Sequence, residues 1–380
     1  MIGLMKSIHL TASKGAARLM GAASRKLLGK SGETISGRTI LSLYPNSIRL
    51  LSAEKSTVLV SGTNGKTSTT KSLSHIISSL VKVASNTTGS NLNWGVANAL
   101  MNRAPYAVLE VDELHLPNVI AETNPKVVLL LNLTRDQLHR MHEVKRVADR
   151  WHVAFTKATD TIFVIDVDDP FLNYATQSSS HVITVSFGDH RHPDGSVCPS
   201  CGKYMNWIGG IYDCSCGLNN KTAHHVFPNG AAGYRNAILA NVAGEIMGAK
   251  PIDIDEKALE RTITKQIDGS TATIRLTKNP ASWTEALRGV DSDNVVLILN
   301  ARQVDGLDTS WLWDVSYASL KGKKVVVCGE RGMDMAYRLH IEGIENTLVS
   351  TFEDAMSKFP AGSNVSVLAA YTAFFALASK

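Results

Sequence analysis

Apolar residues in this chain come in short runs bounded by polar, Gly-bearing segments. Val58–Val60, Tyr106–Val111, Val127–Asn132, Thr161–Asp166 and Val182–Phe187 are rich in aliphatic and β-branched residues, as in strands covered on both faces. Helical periods lie between them, at about Thr69–Val81, Asp112–Ala121 and Glu143–Lys157. Strand alternating with helix predicts an α/β fold with a parallel sheet and helices on both faces. From His190 to Asn229 the pattern stops. That stretch is rich in His, Gly, Pro, Asn and Cys and reads as an insertion. A helix from about Tyr234 to Met247, with Gly248 as its C-cap, closes the first unit. A second set of strands, Ala272–Leu276, Asn294–Asn300, Lys324–Cys328 and Asn364–Ala369, predicts a smaller α/β unit beginning near Pro251.

Length and charge sharpen this outline. The 380 residues suit two or three domains, and 44% apolar content is that of a packed globular protein. The reading is an N-terminal basic helical extension (1–45), a central domain (46–250, insertion at about 190–229) and a C-terminal domain (251–380). A net charge of +5 is mild for this length and does not call for nucleic acid. The longest apolar run, Val365–Ala378, is interrupted by Tyr371 and Thr372 and is too short to cross a membrane. The first 30 residues carry Lys6, Lys14, Arg18, Arg25, Lys26 and Lys30 and no acid. A basic amphipathic helix packed on the body is expected there, with a transit peptide as the alternative.

The chemistry concentrates at Gly62-Thr63-Asn64-Gly65-Lys66-Thr67-Ser68, which follows a strand and opens a helix. Glycines let such a loop turn its N–H groups inward onto phosphate oxygens, and the helix N-terminus adds partial positive charge. Lys66 is placed for the β- and γ-phosphates and the Thr67 hydroxyl for Mg²⁺. Glu110 ends the strand Tyr106–Val111, and in parallel sheets ligands gather at that edge, so Glu110 is the expected second magnesium ligand. Asp112 and Glu113 are expected to orient the loop. Asn132 and Asp136, after the next strand, are candidates for a second metal or the substrate, and Asn86–Asn93 for a loop over the γ-phosphate or acyl substrate.

Four of the five cysteines lie within the insertion. Cys198-Pro199-Ser200-Cys201-Gly202 is a knuckle, and Cys214-Ser215-Cys216-Gly217 supplies a second thiolate pair. Four thiolates suit a closed tetrahedral Zn²⁺, a structural site. His190, His192, His224 and His225 lie nearby and are expected at the surface. Only Lys203 adds positive charge between Cys198 and Cys216, which argues against a nucleic-acid-binding ribbon. Cys328, at a strand end, is expected to be a buried packing residue.

The usual phosphate loop has four residues between its glycines, and this one has two. That shorter form resembles the Mur ligase superfamily. Five further features narrow the match: Asn86–Leu92, Glu110–Glu113, Asn132–Arg140, Leu276–Ala281 with Asp305–Asp314, and the four-cysteine insertion. On these the chain is identified as a member of the MurT family within that superfamily, over about residues 35 to 380. The resemblance implies a P-loop central domain with an inserted zinc ribbon, followed by a smaller Rossmann-like domain. It implies a cytoplasmic bacterial ligase that uses ATP and Mg²⁺ to activate the α-carboxyl of D-isoglutamate in the lipid II stem peptide as an acyl phosphate. Ammonia would come from a GatD-like glutamine amidotransferase partner, and the lipid II substrate would be met at the membrane surface. Asn236 would contact adenine, Lys278 would stabilise the acyl phosphate, and Asp308, or failing it Asp314, would lend the partner's Cys–His pair a carboxylate. The alternative for Asp308 is to cap the turn bearing Trp311 and Trp313. The alternative function is a Mur-type amino-acid-adding ligase. His139 stands where the family usually has Asp, Thr134 where it often has Phe, and Gly269-Ser270 where it has Gly-Arg.

Overall fold

The computed structural model describes residues 2–28, 32–88, 90–135, 144–188, 191–254 and 262–379, with side chains of the first helix described over 9–26. Lys30, Asp136, His139, Arg140, Glu143 and His190, named above, lie outside the described residues, as does Gly89 within the segment Asn86–Asn93. The chain forms two compact units. The first holds residues up to Leu133 and from Val144 to the 250s; the second takes Thr134 and Arg135 with the remainder.

The first unit opens with helices α1 (Ile2–Leu28), α2 (Glu33–Leu43) and α3 (Ser47–Ser52). They lead into β1 (Ser56–Ser61), α4 (Lys66–Ser78), β2 (Val83–Ser85), α5 (Asn93–Leu100), β3 (Tyr106–Glu110), α6 (Leu116–Thr123) and β4 (Val127–Leu130). After helix Val144–Phe155 come β5 (Ile162–Asp166), helix Pro170–Thr176 and β6 (His181–Ser186). The insertion contributes a small antiparallel hairpin, β7 (Asn206–Ile208) with β8 (Ile211–Asp213), and the short strand β9 (His225–Val226). Helix Ala232–Ile246 follows. The main sheet is parallel, in the order β2-β3-β1-β4-β5-β6-β9.

This layout follows from the pattern of side chains. β1, β3, β4 and β5 are almost wholly buried, so their aliphatic runs need cover on both faces. α4 buries Thr69, Thr70, Leu73, Ile76 and Ile77, positions three and four apart, against the sheet and helix Ala232–Ile246. Close approach there needs Gly244, where a Cβ would lie 2.6 Å from Ile76 Cγ2. The N-terminal region is a basic helix packed on the body, as expected: Ala17, Gly21 and Ser24 of α1 are buried, and Arg18 donates to Met101 O at 2.8 Å.

The second unit is a sheet in the order β10-β11-β15-β12-β13-β14, with β10 (Thr262–Ile267) antiparallel and the others parallel. Its remaining strands are β11 (Ser270–Leu276), β12 (Asn294–Ile298), β13 (Lys324–Cys328), β14 (Asn346–Leu348) and β15 (Asn364–Ala369). Asp268 and Gly269, with φ of 49° and 80°, make the β10–β11 turn, and Ser270 opens β11. Cys328 is buried, and burial pushes its thiol up to about 12, consistent with an inert packing residue.

The α2–α5 crossing is a sharp test of this packing. A Cβ on Gly37 would lie 1.8 Å from Trp94 O, a backbone atom unable to give way. Gly37→Ala is expected to destabilise the chain by about 1–3 kcal/mol, read as a lowered Tm. An unchanged Tm would mean that these helices do not pack as described.

Candidate functional site

The site is built at the carboxyl ends of β1, β3 and β4. β1 delivers the chain into a bend that only glycine tolerates at two points. Gly62 has φ 135° and Gly65 has φ 87°. Either glycine given a Cβ would collide, Gly62 with Asn132 O at 2.8 Å and Gly65 with Asn236 Nδ2 at 2.1 Å. The bend is gripped from outside by Asn132. Its Oδ1 accepts from Asn64 N at 2.8 Å, its Nδ2 donates to Asn64 O at 3.0 Å, and its own carbonyl accepts from Thr63 N at 2.9 Å. Asn132 thus shapes the loop, which differs from the metal or substrate role expected of it.

α4 starts at Lys66, so its first-turn N–H groups converge where the loop ends. The Lys66 ammonium donates to Gly62 O and to Glu113 Oε1, the latter at 3.0 Å. Both partners are nearly buried, at 11% and 3% exposure. Glu113 therefore acts on the lysine itself, a role that sequence reasoning missed. Glu110, also buried, holds Asn86 through its backbone and lies 3.4 Å from Asn91 Nδ2 through Oε1. The Asn86–Asn93 segment is thereby tied to the edge that carries the phosphate loop. Asp112 accepts from Leu114 N at 3.0 Å and orients the following turn, as expected. Thr67 lies in the first turn of α4, next to Lys66, and Ser68 follows it.

Asn236 packs against Gly65, so the helix Ala232–Ile246 reaches the loop. Asn241, five residues on, is a packing residue that exchanges hydrogen bonds with Ile252 N and O. Lys278 and Asp308 belong to the second unit. Lys278 precedes a capping box in which Asn279 and Ser282 close the start of helix Pro280–Arg288. Asp308 Oδ1 accepts from Ser310 N at 2.8 Å, so it does brace the turn bearing Trp311 and Trp313. Asp314 is paired with Arg135 at 2.7 Å.

The insertion brings its four cysteines together: all four sulfurs lie within 4.8 Å of one another. Cys198 and Cys216 are 3.6 Å apart, and Cys201 and Cys214 are 3.4 Å apart. A tetrahedron with Zn–S near 2.3 Å has edges of about 3.8 Å, so the donor set fits zinc. The knuckles also supply N–H groups to sulfur. The Leu218 N–H draws the Cys216 thiol down to about 6, while burial pushes Cys198 up to about 12. A cation at the centre would favour the thiolate in all four.

One nearby residue corrects the sequence reading. His192, expected at the surface, is 4% exposed. Its Nε2 lies 3.4 Å from Asp169 Oδ2. Burial opposes its charge, but Asp169 and Asp194 outweigh that and raise its pKa above the usual value. Asp169 was not visible as a site residue, and nothing in its sequence context singles it out. Neighbouring Asp166 is pushed up to about 8, first by burial and then by Asp168, and so carries its proton at neutral pH. His224 bonds Thr184, and His225 is exposed on β9.

A strand, a short glycine bend closing on a lysine at a helix start, and a carboxylate at the adjacent strand end define a nucleoside-triphosphate-dependent enzyme on an α/β frame. Residues 60–208 match the Mur ligase middle domain and residues 276–374 the MurT ligase C-terminal domain. The chain is 26% identical, over 90% of its length and 89% of the relative's, to the lipid II isoglutaminyl synthase (glutamine-hydrolyzing) subunit MurT of Staphylococcus aureus. Its fold is shared with MurF from Acinetobacter baumannii, at a TM-score of 0.62, 16% identity, and coverage of 90% of this chain and 80% of that one. The fold is shared also with MurF ligase from Thermotoga maritima in complex with ADP, at 0.58, 15% identity, and coverage of 89% and 81%. The chain thus carries a Mur ligase middle domain and a MurT-type C-terminal domain, and is an ATP-dependent ligase.

The ribbon is tested by metal analysis. About one zinc per chain is expected in the purified protein, falling to none in Cys198→Ser together with Cys216→Ser. Purified protein free of zinc that keeps its Tm on addition of zinc would refute a metal site.

Proposed function

We propose that this protein is the synthase subunit of a glutamine-dependent amide ligase of peptidoglycan synthesis. It activates the α-carboxyl of D-isoglutamate in the lipid II stem peptide and amidates it to D-isoglutamine. The observation that carries this reading is the Gly62–Thr67 bend, with Lys66 beside Glu113 and Glu110 at the neighbouring strand end.

The chemistry follows from that arrangement. ATP binds with its phosphates on the bend and the first turn of α4, its triphosphate charge met by Lys66 and the helix N-terminus. Thr67 and Glu110 would hold Mg²⁺, offering the hard oxygen donors that this ion takes, and the ion would offset phosphate charge. A substrate carboxylate oxygen attacks the γ-phosphorus, and the bond to the β-phosphate oxygen breaks, giving acyl phosphate and ADP. Ammonia then adds to the acyl carbon, loses a proton and expels inorganic phosphate. Lys278 is the residue we assign to stabilising the acyl phosphate. Asn236, against Gly65, serves the nucleotide. The Thermotoga MurF structure that shares the fold is in complex with ADP.

Ammonia is supplied by a GatD-like glutaminase, in keeping with the name of the staphylococcal relative, a glutamine-hydrolyzing synthase subunit. The second unit offers a surface for it. Leu307, Trp313, Met333 and Tyr337 are 55–69% exposed, and Trp313 packs edge-on to Tyr337. Asp308 follows Leu307 and is our choice for the carboxylate that orients the partner's catalytic histidine. The reaction is assigned to the inner face of the bacterial membrane, where a lipid-linked substrate is presented. Among the described residues, no helix is long and apolar enough to cross a membrane.

Two variants test the assignment. Lys66→Ala is expected to lower ATP turnover by about a hundredfold or more with the fold intact, and turnover near that of the parent would remove the loop from the mechanism. Asp308→Ala is expected to leave ATP binding unchanged and to depress the partner's glutaminase activity by about tenfold or more. Unchanged glutamine hydrolysis would withdraw Asp308 from that role. A product mass showing an added amino acid in place of an amide would turn the reading toward an amino-acid-adding ligase.

A further inference from the structure

In this protein the ribbon's buried polar side chains all reach to one place. That place is the turn after β5, Asp166-Val167-Asp168-Asp169. Tyr212, on β8, donates from its hydroxyl to Val167 O at 2.9 Å. Asn220 donates to Asp168 Oδ1 at 2.8 Å and receives Tyr212 N at 2.7 Å. His192, on the stem that leads to Cys198, sets its Nε2 3.4 Å from Asp169 Oδ2. The stem is itself fastened to the hairpin, because Trp207 Nε1 donates to Gly195 O at 2.7 Å. His192 Nδ1 accepts from Asp194 N at 3.2 Å, which leaves the buried Nε2 facing the carboxylate as a charge contact without a hydrogen bond.

Asp169 then passes the connection on. Its Oδ1 caps helix Pro170–Thr176 by accepting from Phe171 N at 2.9 Å. Its Oδ2, the oxygen that faces His192, accepts from Leu133 N at 2.7 Å. Leu133 is bonded to Asn132, whose amide grips both the N–H and the carbonyl of Asn64 in the phosphate loop. One ion contact, two hydrogen-bonded steps and one covalent step therefore separate a ribbon histidine from the nucleotide bend. His192, Asp169 and Leu133 are buried, and Asn132 and Asn64 are half-buried.

We propose that His192 and Asp169 are positioning residues for the nucleotide. The ribbon, through His192, holds Asp169 in the one orientation that fixes Leu133 and so sets Asn132 against the phosphate loop. The ribbon is on this view a strut for the ATP site, and closing it with metal preorganises the loop. A buried carboxylate shared between a helix cap and a distant backbone N–H needs a compensating donor, or it turns and releases one of them. A loop released by Asn132 must pay for its ordering when nucleotide binds, and that cost appears in nucleotide affinity.

This inference rests on the reading that the Gly62–Thr67 bend binds nucleotide, and its test separates the two. The full chain is titrated with a fluorescent ADP analogue, zinc content is measured in every variant, and amide exchange is followed over residues 62–65. His192→Ala is expected to weaken the analogue about five- to tenfold with zinc retained, the scale of losing the one cationic neighbour of a buried carboxylate. The KM for ATP should rise by a similar factor with kcat within about twofold, and exchange at Asn64 should quicken. His192→Gln, which can present an N–H near the position of Nε2, should recover most of the affinity. Asp169→Asn, which keeps the helix cap but offers Leu133 a donor in place of an acceptor, should behave as His192→Ala does. Should His192→Ala not fold, Asp169→Asn and Tyr212→Phe carry the same comparison. Variants that retain zinc, bind the analogue as the parent does and leave exchange at Asn64 unchanged would overturn the strut. A parent protein that binds no analogue would overturn the nucleotide reading itself, and the strut with it.

Discussion

Everything at the candidate site depends on how one peptide is held. The loop after β1 has to turn its N–H groups toward an anion, which leaves the outer side of the backbone to be satisfied by something else. The Asn132 amide does this with both of its ends, taking Asn64 N–H and giving to Asn64 C=O. A carboxamide is the one side-chain group that can act as donor and acceptor in the same plane, which is what an edge of backbone requires. The glycines on either side follow from this grip. Gly62 must let the Asn132 carbonyl come close, and Gly65 must let Asn236 do so. The bend is fixed by contact with β4 and helix Ala232–Ile246 as much as by its own sequence.

The same edge carries a dense set of buried charges, and their balance explains the side-chain choices. Lys66 and Glu113 form an almost fully buried pair. Such pairs add little net stability, because desolvation offsets attraction, but they hold geometry. The lysine is kept at the mouth of the loop, where an incoming phosphate can take over from Glu113. Glu110 is held by its own backbone through Asn86, so its carboxylate direction is set by the strand and not by a flexible loop.

The parts of this picture that could be read from the sequence are those whose signal is local. The aliphatic runs of β1, β3, β4 and β5, the strand–bend–helix order at Gly62, and the cysteine spacing each announce themselves within a few residues. β10 alternates polar and half-buried positions on a sheet edge, and β2 and β14 have three residues each, too few to show a period. The helix after Glu110 starts at Leu116, because Asp112 first makes a turn with Leu114 and Pro117 then fits the first helical turn. The parts that could not be read are side-chain bonds between segments far apart in the chain. Asn132 to Asn64 spans 68 residues, Glu113 to Lys66 spans 47, and Asp169 to Leu133 spans 36. His192 was placed at the surface because a histidine in a polar insertion ordinarily is. Only the fold shows that a carboxylate waits for it inside.

The insertion illustrates what a metal would contribute. Its packed centre is small, formed by Cys198, Met205, Tyr212, Cys214 and Leu218 with Trp207 and Tyr174 beside it. A core of that size is small for an insertion of about forty residues, and ligand bonds from the four cysteines would supply what the core lacks. The polar residues thus freed from packing duties do not all face water. Asn220, Tyr212 and His192 turn inward, onto the carbonyl and carboxylates at the end of β5. Those acids already accept from neighbouring backbone N–H groups and from Ser186. The ribbon adds donors to the same cluster, and the cluster gives the ribbon a rigid seat. That mutual support ties a peripheral metal fold to the strand edge where the nucleotide bend is made.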